Sequence, residues 1–138
     1  MDTKREFLRM MAQQTEIALA TIAENHPKVR IVNFYYDDRS HSLFFSTFAD
    51  NQKVNEIEKN NRVAFTTIPS SGNEHVKAEG LAVKSAKNIH DVQDGFVHKI
   101  PDYKNTIEQA GDFLILFEIK FETAIVTLDF ENTGIYSI

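Results

Sequence analysis

The chain has 138 residues, enough for one domain with a real hydrophobic core, and its 42% hydrophobic and 25% charged residues are ordinary for a globular protein. A net charge of −5 and a pI near 5.5 argue against a broad nucleic-acid footprint, which needs concentrated Lys and Arg. The absence of cysteine removes disulfides, thiolate nucleophiles and cysteine zinc sites together. No apolar run approaches about 18–20 residues, and no signal-peptide core follows the charged N-terminus, so no membrane segment is expected and a cytoplasmic location is the default.

In chain order, Thr3 and Glu6 have capping-box spacing, and Phe7, Leu8 and Met11 predict an amphipathic helix ending near Gln14. Glu16 to Glu24 reads as a strand, broken at Asn25-His26-Pro27. Lys28 to Lys53 is the stretch around which the rest is organised. Val29, Ile31, Asn33 and Tyr35 alternate with Arg30, Val32, Phe34 and Tyr36 at the period of a strand. Asp37 to Ser40 supplies a turn, Leu43 to Thr47 a return strand, and Asp50 an N-cap for a helix over Asp50 to Asn60. Val54 and Ile57 are its expected buried stripe.

Arg62 to Ile68 predicts another strand, Pro69 to Asn73 a loop, and His75 to Lys87 a long strand bending at Gly80. Asn88 to Ala110 is helical, divided by Pro101 and stopped by Gly111. Phe113 to Phe121 and Ala124 to Phe130 form a strand pair, and Thr133 to Ile138 a short edge strand. Six or seven mostly antiparallel strands with three or four helices predict an α+β domain with a curled sheet or barrel, since a hairpin at Asp37–Ser40 excludes a local parallel crossover.

The chemistry concentrates where the return strand meets the helix. Ser46 and Thr47 hydroxyls, the free amides of a helix start, and the cations Arg30 and Lys53 suit an anion, most simply a phosphate. Lysine near a helix N-terminus is electrostatically unfavourable without an anion. Asn33 interrupts an apolar strand face, and His75 and Lys77 share one face of their strand. His90, Asp94 and His98 have i, i+4, i+8 spacing, but Gly95 weakens that helix and no further ligand is evident, so no metal is assigned. The chain carries no nucleophile elbow, P-loop, dinucleotide fingerprint or His-Glu-x-x-His, and no side chain stands out as a general acid or base. Catalytic residues are therefore unassigned.

Three elements in order, Arg30-Ile31-Val32, Phe45-Ser46-Thr47 with Lys53, and His75-Val76-Lys77-Ala78-Glu79-Gly80, resemble the pyridoxamine 5′-phosphate oxidase-like split-barrel flavoproteins. The resemblance covers roughly residues 15 to 130. It implies an antiparallel six-stranded split β-barrel with peripheral helices, a homodimer with FMN at the subunit interface, and oxidoreductase activity on a small substrate. The cofactor-binding residues it implies are Arg30, Ile31, Val32, Asn33, Ser46, Thr47, Asn51, Lys53, His75 and Lys77. The true oxidases carry Ser where this chain has Asn51, Lys where it has Tyr35, and Gln where it has His75. Their C-terminal Arg-containing motif is not found before Ile138. The resemblance thus implies flavin binding rather than vitamin B6 oxidation. Two other readings stay open: a flavin- or heme-holding module without turnover, and a ligand-free structural dimer.

Overall fold

The computed structural model describes residues 1–138. Helix α1 spans Thr3–Gln13 and is followed by strands β1 (Glu16–Ala23), β2 (His26–Asn33), β3 (Tyr35–Asp37) and β4 (Ser42–Phe48). Helix α2 (Gln52–Lys59) leads to β5 (Arg62–Thr67) and β6 (His75–Lys84). A 3-10 turn (Ile89–Val92), α3 (Gln93–Lys99) and α4 (Tyr103–Ala110) precede β7 (Leu114–Lys120), β8 (Thr123–Thr127) and β9 (Thr133–Ser137).

All nine strands belong to one antiparallel sheet in the order β2-β1-β5-β6-β7-β4-β3, with β8 on β6 and β9 on β8. The two ends of that path, β2 and β3, are consecutive pieces of one stretch interrupted at Phe34, whose amide donates to the carbonyl of Thr15. The sheet therefore closes on itself through the chain. Counting β2 and β3 as one stave with β1, β5, β6, β7 and β4 gives the six staves of a split barrel. The β8–β9 hairpin extends it. The expected uninterrupted strand is thus two strands, because its first half pairs with β1 and its second with β4.

Gly80 marks where β6 changes partner, from β8 at His75–Lys77 to β7 at Leu81–Lys84. A Cβ there would lie 2.3 Å from the Lys120 carbonyl oxygen, so only glycine admits that approach.

The barrel interior packs Leu19, Phe34, Phe45, Phe65 and Phe117. Phe7 and Met10 of α1 join this core from one helix, and Val54 and Ile57 of α2 from another. A second, smaller core lies outside β4 and β7, where Phe44 and Leu116 meet Ile89, Phe96, Tyr103 and Ile107. The eleven Phe are thus largely spent on two aromatic cores.

Local details differ from expectation at two helix starts and one turn. Asp2, rather than Thr3, caps α1 by accepting from the Arg5 amide. The β1–β2 turn falls at Glu24 and Asn25 (φ 52° and 65°), a left-handed pair that matches the twist of a hairpin. Pro27 lies inside β2, tolerated because β2 pairs on one edge only. Asn51, rather than Asp50, caps α2, and the helix begins two residues later than predicted. No helix is long and apolar enough to cross a membrane.

Candidate functional site

Arg30, Thr47 and Lys53 meet beneath α2. Arg30 projects from β2 on the face it shares with Val32, toward the barrel core. Its Nη1 donates to Thr21 Oγ1 (2.8 Å) and the Leu19 carbonyl (3.3 Å), and its Nη2 to Glu56 Oε1 (2.5 Å). Thr21 closes the triangle by donating to the same Glu56 oxygen at 2.8 Å. Lys53 lies one residue into α2 and is only 7% exposed; its Nζ donates to Thr47 Oγ1 at 2.7 Å. Asn51 fixes this helix start by accepting from the Lys53 amide at 3.0 Å.

The electrostatics follow from two cations and one carboxylate in a small volume. Burial pulls the Lys53 ammonium below its ordinary pKa, the like charge of Arg30 lowers it further, and Glu56 partly offsets both. Burial pushes the Glu56 carboxyl up, but hydrogen bonds from Thr21 and Arg30 and the nearby positive charges outweigh it and hold the group below the usual carboxylate range. The corner therefore carries a net single positive charge. Lys53 has one protein partner for three donor hydrogens, so it retains donors for an anion. The residues present fit the phosphate end of a nucleotide cofactor.

The other predicted residues take different positions. Ser46 neighbours Thr47 in β4 but points to the opposite face, where its hydroxyl bonds Tyr103 of α4. It is separated from the corner. Ile31 is 59% exposed, and Asn33 is also exposed, on the outer face of β2; Val32 points inward against the core. No strand pairs the second edge of β2, so alternate backbone groups of this stretch face an open edge.

His75 and Lys77 sit at the start of β6. The His75 ring shares a 2.7 Å hydrogen bond with the Asn73 carbonyl. Lys77 is exposed on the outer face and lines a groove of about 1120 Å³ with Ile22, Arg62, Leu81 and Ile125. That face is opposite the one from which Arg30 projects. Within one chain these two residues are not brought to the corner.

Tyr35 lies under α3, where its ring stacks on Phe44 and presses against Gly95. His90 belongs to the 3-10 turn and pairs with Asp112 at 3.1 Å, whereas Asp94 and His98 belong to α3. No single helix carries the three.

Two members of the corner were not anticipated. Glu56 stands three residues after Lys53, a spacing that puts both on one helix face, and this was the available signal. Thr21 could be placed only by the β1–β2 register, in which Arg30 faces Leu19.

The split barrel, the helix-capped corner and the open β2 edge define a class of small β-barrel domain with a candidate anion corner. Residues 10–133 match the family described as pyridoxamine 5′-phosphate oxidase-like, and the chain belongs to that family. No curated protein matches by sequence. Among solved structures, General Stress Protein 26 from Bacillus anthracis is similar at 17% identity and TM-score 0.78, covering 100% of each chain. A heme binding protein from Mycobacterium smegmatis is similar at 11% identity and TM-score 0.78, covering 99% of this chain and 58% of that one. The heme storage protein HutZ from Vibrio cholerae is similar at 14% identity and TM-score 0.70, covering 99% and 95%. At these identities the likeness shows the fold.

Proposed function

We propose that the protein is an FMN-binding flavoprotein, acting as an oxidoreductase on a small substrate. The observation that carries this reading is the desolvated Lys53 ammonium beside Arg30 and Thr47, in a chain of a pyridoxamine 5′-phosphate oxidase-like family. Lys53, Thr47, Asn51 and Arg30 would hold the phosphate end. The backbone of Ile31, Val32 and Asn33 along the open β2 edge would meet the polar edge of the ring system. FMN, when bound, supplies hydride or electron transfer, and the chain supplies orientation and charge.

The reading includes a homodimer, supported by the outer groove and by Ile22, Val29, Ile31, Leu81 and Ile125, all more than a third exposed. In such a dimer His75 and Lys77 would serve the site of the other copy. A cytoplasmic setting is consistent with a chain that contains no cysteine.

Heme binding without turnover is the second reading, favoured by the heme-binding and heme-storage names of two similar folds. A visible spectrum of the purified protein, before and after FMN addition and desalting, separates the two. Retained bands near roughly 370 and 450 nm are expected for bound flavin. A colourless protein that refuses FMN but gains an intense band near roughly 400 nm on adding heme would replace the flavin reading by the second.

A further inference from the structure

Glu56 is 5% exposed and keeps its charge, yet only one of its oxygens is used. Oε1 accepts from Thr21 Oγ1 at 2.8 Å and Arg30 Nη2 at 2.5 Å, while Oε2 is buried with no hydrogen-bond partner. A buried carboxylate with an unpartnered oxygen is an expensive arrangement unless it serves the site around it. Here it takes the Arg30 Nη2 donor, which a phosphate would otherwise compete for with a charge-assisted bond, while Nη1 stays with Thr21 and the Leu19 carbonyl.

We infer that Glu56 is a specificity-determining residue of the anion corner: a built-in anion that competes with the bound phosphate for Arg30 and sets how much charge on the ligand the site rewards. This rests on the reading of the corner as the FMN phosphate site. Without the carboxylate, the corner would present two uncompensated cations, Arg30 and Lys53, to a phosphate monoester that carries nearly two negative charges at neutral pH. With it, the ligand meets Lys53 as the free cation and shares Arg30. Glu56 thus weakens selection for a doubly charged phosphate over a neutral or singly charged ligand. It also holds Arg30 and Thr21 in place when no ligand is bound.

The experiment compares FMN with riboflavin, which lacks the phosphate, on the wild-type protein and on Glu56→Gln, by fluorescence titration. Gln keeps an acceptor for Thr21 and Arg30 and removes the charge. We expect FMN affinity to rise by about tenfold, as for removal of one charge at short range in a partly buried site, with riboflavin affinity unchanged. Glu58→Gln, on the exposed side of α2, is the control for helix charge in general and should move FMN affinity by less than about twofold. An unchanged or weaker FMN affinity in Glu56→Gln overturns the inference and leaves flavin binding standing. If neither flavin binds either protein, the flavin reading fails, and inorganic phosphate decides Glu56 separately. A larger phosphate-induced rise in unfolding temperature for Glu56→Gln than for wild type supports the built-in anion, and an equal rise overturns it. A variant that folds only with phosphate or FMN present supports it; one that stays unfolded with both overturns it.

Discussion

The ammonium of Lys99 lies 3.5 Å from the centre of the Phe34 ring and donates to the Met11 carbonyl at 3.2 Å. The contact ties α3 to α1 at the residue where the closing stave of the barrel breaks. Burial draws this amine down to about 7, whereas an unfolded lysine titrates near about 10.4. Between those values the unfolded chain binds a proton that the folded chain has released, so stability rises with pH across that window. Below about 7 both states are charged and the slope vanishes. Replacing Lys99 with Met removes the titration. Urea unfolding of both proteins from about pH 6 to about pH 9 should show wild type gaining on the variant only above neutrality. A difference that stays flat with pH would show that Lys99 is not titrating in this contact.

Gly80 and Gly72 predict opposite sizes of effect for one substitution. A Cβ at Gly80 meets the Lys120 carbonyl oxygen at 2.3 Å and the Phe121 Cβ at 3.2 Å, both fixed by the partner change of β6. Gly80→Ala should cost about 3 kcal/mol or more, as backbone-fixed overpacking does. At Gly72 φ is +59° and nothing lies within 4 Å, so Ala meets only the left-handed strain, about 1 kcal/mol. Equal losses in denaturant unfolding would contradict the switch of β6 from β8 to β7 at Gly80.

Glu118 joins two strands and a loop. Its Oε1 accepts from Ser42 at 2.9 Å and its Oε2 from Ser85 at 2.7 Å. Burial raises its pKa, but the hydrogen bonds of Ser85 and Ser42 and the charge of Lys120 outweigh that and hold it below the ordinary range. A depressed carboxylate contributes stability above its unfolded pKa and loses it as pH falls through the folded value. Glu118→Gln should therefore lose about 1–2 kcal/mol at neutral pH, and the gap to wild type should close below about pH 4. A gap that persists in acid would assign the loss to shape rather than charge.

The strands and helices were legible in the sequence because their signals are local, whereas the six-stranded split barrel came from the resemblance. The turn at Asp37–Ser40 and the break at Pro101 each found its element, and the alternation in Val29–Tyr36 found strand, though two strands rather than one. What local signals could not supply was pairing. That β2 and β3 belong to different neighbours depends on Phe34 reaching Thr15, a contact across the barrel end. The same holds for the site. Arg30, Thr47 and Lys53 could be grouped by spacing along one hairpin and helix. Ser46 was grouped with them by adjacency, although a strand sends neighbours to opposite faces and α4 brings Tyr103 to its hydroxyl. Thr21 became visible only through register.

Lys53 offers the sharpest separation of stability from binding. Its charge is disfavoured by burial and by Arg30, and one hydrogen bond to Thr47 compensates only in part. Lys53→Met removes that penalty, keeps the volume, and forfeits the Thr47 bond, worth about 1 kcal/mol. Arg30→Ala is a poorer probe, since it leaves Glu56 charged and buried, a change that typically costs about 3–5 kcal/mol. Without ligand, Lys53→Met should therefore unfold at the same temperature as wild type or higher. On the proposed flavin reading, FMN binding should weaken by roughly 1.5–3 kcal/mol, the scale of a charge-assisted hydrogen bond. Melting curves with and without FMN should then cross: the variant equal or ahead when empty, wild type ahead when loaded. A variant that is less stable when empty and binds FMN unchanged would make Lys53 a structural residue and move the phosphate elsewhere.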